Sequence, residues 1–451
     1  VLFSRFLTIF LIGAVVAINA AEQASSAANV FNLLKEHKAK AWQMSPAEFA
    51  HTCGGYKLYR WNDRQKSRLR YYANQRKGSL CFAGSEIFEG IFLFRNQKLA
   101  KIYLSLYNRG DLHGTNTEMF RKKLDNATTE LSTLCGRSPK NSKEYLAGAK
   151  IYSRTWKNDD GIFTLKWSIS RSGKNGQKSR QAEYLTFTAQ QPGNSTRQAN
   201  GLQIKKRREA LHEKVKKNKN GDILLDIPMV DQGKKGYCVA AVTERVMKYF
   251  GSEADQHMFA QISKTTVRGT NPEKMIKAMR RAGRKLGITT KDIYMNKDFS
   301  SRGKFKKMIS KYNRVAKKER KKKIEMNNYT INCGNYVFYD YPAMARAIDK
   351  NIYKKMRVSR YAKGFRGFKK TIRHYIDKGV PVEWGVMLGI VREPKTPQAA
   401  GGHMRLLSGY NDQEGKVIYT DSWGPGHEHK KMLWEDAWTI TLFTAVVQPK
   451  I

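Results

Sequence analysis

The stretch Asp231-Gln232-Gly233-Lys234-Lys235-Gly236-Tyr237-Cys238-Val239-Ala240-Ala241 places the tightest local constraint on this chain. A polar loop punctuated by glycines runs into a cysteine. Behind it Val239, Val242, Val246 and Phe250 recur at helical spacing, and Gly251 supplies a stop. The pattern predicts a helix that opens on a thiol. A sulfur there faces unpaired backbone N–H groups and the positive end of the helix dipole, and both favour thiolate over thiol. Gln232 lies six residues upstream, and its side-chain amide is able to donate to an oxyanion forming near the sulfur. The Cys238 N–H is a second such donor. Cys238 and Gln232 are therefore candidate catalytic groups.

The length of 451 residues, with 40% hydrophobic and 11% aromatic side chains, suits two or three domains with true cores. Lys and Arg number 84 against 38 Asp and Glu, a net charge of +46. That charge predicts attraction to anionic polymers or a cell-envelope surface and dictates no fold. No RNA-binding signature accompanies it, so no specific nucleic acid is expected. Residues 1–20 read as an export signal. Arg5 is the basic lead, Leu7 to Ile18 the apolar run, and Ala17, Ala20 and Ala21 the small residues for cleavage. The run is short for a membrane span and no later stretch qualifies, so an exported mature chain without a transmembrane segment is expected. The five cysteines, Cys53, Cys81, Cys135, Cys238 and Cys333, leave at least one thiol outside any intrachain disulfide. Cys238 is the natural odd one out, and any two of Cys53, Cys81 and Cys135 could bridge. No Cys/His spacing suggests a metal site, and no cofactor is implied.

The chain then divides by pattern. Residues 30–190 read as an α+β domain of unknown role. A helical lead from Val30 to Met44 precedes strand-like segments between Gly55 and Tyr107. A helix from Glu118 to Leu134 follows, capped by Asn116 or Thr117 and stopped by Gly136. Lys150 to Trp156 and Ile162 to Ser170 flank Asn158-Asp159-Asp160-Gly161, a hairpin signal, and Glu183 to Ala189 adds a strand. Residues 191–221 read as a basic linker with few apolar residues to pack. From 222 to 451 a helical half is predicted first, with helices over Asn271 to Leu286, Phe305 to Lys323, Tyr341 to Tyr353 and Phe365 to Asp377. A strand half follows, over Val382 to Val391, Met404 to Tyr410, Val417 to Thr420 and Thr439 to Val447.

Two strand ends carry chemistry. Gly401-Gly402-His403 starts one strand, and Asp421-Ser422-Trp423-Gly424 follows the next. A hairpin turning at Asn411 to Gly415 would bring His403 and Asp421 to one end of adjacent strands, as a base and the group that orients it. Together, Gln232 with Gly236-Tyr237-Cys238-Val239-Ala240, His403 with Gly409-Tyr410, and Asp421-Ser422-Trp423-Gly424 resemble the signature of papain-like cysteine peptidases, in their C39-like branch. The aspartate in the third position points to that branch. The resemblance covers roughly residues 222–451.

It implies a helical half carrying the cysteine and an antiparallel strand half carrying His and Asp. It also implies a polypeptide substrate and four roles. Cys238 would be the nucleophile and His403 its imidazolium partner. Asp421 would orient His403, and Gln232 would serve the oxyanion hole. A transglutaminase-like acyl transferase, or a basic polyanion-binding protein on the same scaffold, would share much of this sequence.

Overall fold

The computed structural model describes residues 28–63, 66–73, 79–111, 116–147, 149–172, 179–192, 209–233, 236–252, 254–265, 269–299, 301–333, 336–360 and 362–450. The proposed export signal and the Cys333 side chain lie outside these residues. The chain divides into two compact units, Val1–Gln198 and Ala199–Ile451.

The first unit is an antiparallel sheet with helices. Its helices are α1 (Val30–His37), α2 (Pro46–Thr52) and α3 (Thr117–Cys135). Its main strands are β1 (Tyr59–Trp61), β2 (Arg68–Tyr72), β3 (Glu89–Arg95), β4 (Lys98–Asn108), β5 (Lys140–Leu146), β6 (Ala149–Lys157), β7 (Ile162–Ser172) and β8 (Ser179–Gln190). They pair in the order β1-β2-β3-β4-β8-β7-β6-β5. Helix α3 forms where Asn116 caps it through the Met119 N–H at 2.8 Å and ends where Gly136 takes a left-handed φ of 60°. Phe120, Leu124, Ala127 and Leu131, three or four apart, are buried along one face of it. Cys53, Cys81 and Cys135 are free thiols, so none of the possible bridges among them forms.

The second unit joins helices to a sheet. Strands β9 (Val215–Lys217) and β10 (Asp222–Leu225) precede the cysteine helix α4 (Cys238–Tyr249), then α5 (Gln256–Ile262) and α6 (Pro272–Leu286). Next come β11 (Ile288–Met295), α7 (Arg302–Lys318), the ribbon β12 (Thr330–Cys333) and β13 (Tyr336–Tyr339), and helices α8 (Tyr341–Ala347), α9 (Lys350–Arg360) and α10 (Ala362–Asp377). The strand half is β14 (Val382–Leu388), β15 (Gly401–Asn411), β16 (Lys416–Thr420) and β17 (Lys430–Leu433), then α11 (Trp434–Ile440) and β18 (Thr441–Pro449). The sheet order is β9-β10-β15-β14-β18-β11, with β16 between β15 and β17.

Four expectations need correction. The stretch 191–221 is not all linker. Leu211 is fully buried, and β9 pairs with β10 around a turn in which Asn218 accepts from the Asn220 and Asp222 N–H groups. The helical half contributes a strand: β11 lies beyond Gly287, a left-handed C-cap, and pairs with β18. The helix expected over Tyr341 to Tyr353 is two, because the Asp349 carboxylate accepts from the Asn351 and Ile352 N–H groups and starts a new one. The helix expected to reach Lys323 ends at Lys318, where Arg320 adopts φ 52° and Asn313 exchanges two hydrogen bonds with Ile324.

Candidate active site

Helix α4 presents Cys238 as its first residue. The helix is buried along nearly its whole length, Val239 through Met247, so it is fixed, and Cys238 itself is half-buried. Strand β15 brings His403 opposite Val386 of β14. The β15–β16 hairpin, closing with Asn411 against Lys416, carries the chain to Asp421 just beyond β16. His403 Nε2 and Asp421 Oδ1 are 3.0 Å apart, and both side chains are fully buried. That leaves Nδ1, which has no oxygen or nitrogen partner, for the Cys238 sulfur. The Trp423 ring stacks on the imidazole, with centroids 4.1 Å apart and planes 10° apart.

The three groups titrate together. Burial pushes the Cys238 thiol up. A hydrogen bond and charge from His403, with the Met404 and Val239 N–H groups, outweigh it and leave the thiol below its ordinary value. Burial acts against the charged form of His403, but hydrogen bonds to Asp421 and Cys238 and the two negative charges raise it. Burial disfavours the Asp421 carboxylate as well, yet the Arg405 charge, the His403 hydrogen bond and Lys430 hold it far below the usual range.

Gln232 lies in the loop ahead of α4. It is buried, and its N–H donates to the Ser422 carbonyl at 2.9 Å. The loop before the cysteine and the loop after Asp421 are thus tied together. Gly424 secures the same junction. Its φ is 83°, and a Cβ there would sit 2.8 Å from Asp231 Oδ2.

A second set of buried charges holds Asp421. Arg405 is fully buried two residues after His403. Its Nε donates to Asp421 Oδ1 at 2.7 Å, while Nη1 and Nη2 donate to the two Glu393 oxygens at 2.9 and 3.0 Å. The Tyr419 hydroxyl also donates to Glu393. Lys430 Nζ reaches Asp421 Oδ2 at 3.3 Å. From the cysteine helix, Arg245 donates to the Asp421 carbonyl and to Thr420 Oγ1, both at 2.7 Å, and to the Pro228 carbonyl at 2.9 Å. Burial draws the Arg245 guanidinium down to about 10, so it stays charged at neutral pH. Sequence reasoning missed Arg405, Glu393 and Arg245. The available signal was an arginine inside the apolar run Met404-Arg405-Leu406-Leu407, a residue type that is almost never buried unless paired.

Among the described residues no group of His, Cys, Asp and Glu could hold a metal ion, and no helix is long and apolar enough to cross a membrane.

Residues 224–446 match the Peptidase_C39 like family. The chain aligns with the peptidase domain of Streptococcus ComA, described as a bi-functional ABC transporter involved in a quorum sensing pathway. That alignment covers 50% of this chain and 100% of that one, at 15% identity and a TM-score of 0.26. It also aligns with xylellain, a cysteine protease from Xylella fastidiosa, over 54% of this chain and 90% of that one, at 13% identity and a TM-score of 0.28. No curated protein matches the sequence. Through residues 224–446 the chain belongs to the Peptidase_C39 like family, a class of cysteine peptidase.

Proposed function

We propose that this chain is an exported cysteine peptidase that hydrolyses polypeptide through Cys238, His403 and Asp421. The observation that carries the reading is the fully buried His403–Asp421 contact of 3.0 Å, which directs the remaining ring nitrogen toward a thiol of lowered pKa. The Cys238 thiolate attacks the scissile carbonyl carbon and forms a C–S bond. The oxyanion is met by the Cys238 N–H and the Gln232 amide. The C–N bond then breaks, and His403 gives its Nδ1 proton to the departing amine. Water, deprotonated by the now neutral imidazole, cleaves the thioester and regenerates thiolate and imidazolium. Asp421 holds the ring by Nε2, and Trp423 covers one ring face, keeping water from the contact.

The test pairs alkylation of Cys238, read by mass spectrometry, with hydrolysis of an unstructured polypeptide. Cys238→Ala is expected to remove all hydrolysis, and Cys81→Ala to leave it intact. His403→Ala is expected to return Cys238 to the slow alkylation of an ordinary thiol. Hydrolysis that persists in Cys238→Ala, or alkylation indifferent to His403, overturns the reading.

A further inference from the structure

A strongly basic surface of the second unit is built on α7. That helix buries Phe305, Met308, Ile309, Tyr312 and Ala316. Its other side and the turn after it, through Lys323, expose almost nothing but Lys and Arg. Glu319 is the one carboxylate in the stretch, and it is already paired with Lys355.

The β12–β13 ribbon stands at the start of this helix. The Asn313–Ile324 hydrogen bonds fold the chain back along α7. Arg302 Nε then meets the Tyr339 hydroxyl at 3.2 Å, and the Phe305 ring packs against Tyr339 and Tyr341. In the ribbon Ile331 is paired with Phe338 and Asn332 with Val337. Alternation along a strand therefore places Ile331 and Phe338 on one face and Val337 on the other. Ile331 is 50% exposed, Phe338 54% and Val337 43%. A ribbon packed on its own protein would cover one face. This one leaves Ile331 and Phe338 partly exposed on one face and Val337 on the other, and it meets the first turn of α7 through Arg302 and Tyr339.

We propose that α7 and the ribbon dock this unit on an anionic lipid surface. The exposed cations meet the phosphate headgroups, and Ile331, Val337 and Phe338 enter the boundary of the acyl chains. Charge complementarity alone would equally suit a nucleic acid. A nucleic acid is held by cations and stacked rings, and it would leave Ile331 and Val337 in water. A bilayer takes up both kinds of side chain. The proposal is independent of the chemistry at Cys238.

The test is flotation of the full chain with phosphatidylcholine vesicles, with and without phosphatidylglycerol. Binding is expected only with phosphatidylglycerol. It is expected to fall about tenfold or more in Ile331→Ser/Phe338→Ser, with every lysine intact. Phe338→Trp, a substitution that keeps the ribbon apolar, supplies a reporter. Its emission is expected to shift to the blue on phosphatidylglycerol vesicles and to be quenched by brominated acyl chains. Failure to bind these vesicles, or an unshifted Phe338→Trp emission on binding, overturns the proposal. Vesicle binding indifferent to the serine pair and displaced by duplex DNA also overturns it, in favour of a general polyanion site.

Discussion

His403 sits between a carboxylate, Asp421, and a thiol, Cys238, and that position sets the pH behaviour of the site. The thiol, lowered, ionises at a pH below its ordinary value. The imidazole, raised, keeps its proton to a pH above its own. Thiolate and imidazolium therefore coexist over a window that opens as pH rises through the lowered thiol value and closes as it rises through the raised imidazole value. A bell-shaped kcat/KM profile for peptide hydrolysis is expected. Asp421→Asn removes the charge that favours imidazolium, so its alkaline limb is expected at lower pH, with a lower maximum. A limb that does not move would separate Asp421 from the titration of His403. Arg405 is a positioning residue here, since it acts on His403 through Asp421. Arg405→Met leaves Asp421 and Glu393 buried beside a lost cation, and about 3–5 kcal/mol of stability is expected to disappear in urea denaturation. Glu393→Gln added to that variant is expected to recover part of the loss.

At the scale of elements, the sequence patterns were clearest where one face of a helix or a tight turn left its mark. Helix α3 with its Asn116 cap and Gly136 stop, the β6–β7 hairpin and the β15–β16 hairpin all follow from such marks. So does the pairing of His403 with Asp421, because each flanks a strand of plainly apolar pattern. Strand β11 was hidden because its sequence, Ile288-Thr289-Thr290-Lys291-Asp292, lies on the sheet edge and is largely exposed. Helix α11 was hidden by its tryptophans, Trp434 and Trp438, which suit a strand as readily as a helix.

Two elements yield predictions. Burial raises Glu383, on the central strand β14, to about 7. The folded state thus holds this proton more tightly than the unfolded one. Its contribution is complete below the ordinary carboxylate range and is lost as pH climbs to about 7, an effect of roughly 3 kcal/mol. Glu383→Gln is expected to flatten that part of the stability–pH curve. Gly379 has φ 71°, and a Cβ there would lie 1.9 Å from the Leu211 carbonyl oxygen. Gly379→Ala is expected to cost about 2 kcal/mol or more, whereas Gly415→Ala, at φ 63° in open space, is expected to cost only about 1. Thermal melts of the two variants make the comparison.

At the scale of the molecule, the two units were legible in outline, from the change of pattern near residue 190, but not the place where the second begins. Composition puts that boundary at Asp222, because Lys205 to Asn220 is so polar. One buried leucine in that run, Leu211, and one short strand decide otherwise. Lys214 adds to the attachment, with its ammonium 3.7 Å from the centroid of the Tyr249 ring. The consequence concerns where the chain tolerates being cut. A polypeptide begun at Asp222 would lack the Leu211 plug over Gly379 and would strip β10 of its neighbour β9. The row of N–H and C=O groups so uncovered is a template on which another molecule can add a strand. Light scattering is expected to find the 222–451 fragment self-associating and the 209–451 fragment monodisperse. A dozen residues that look like a tether would then be what keeps the sheet from growing.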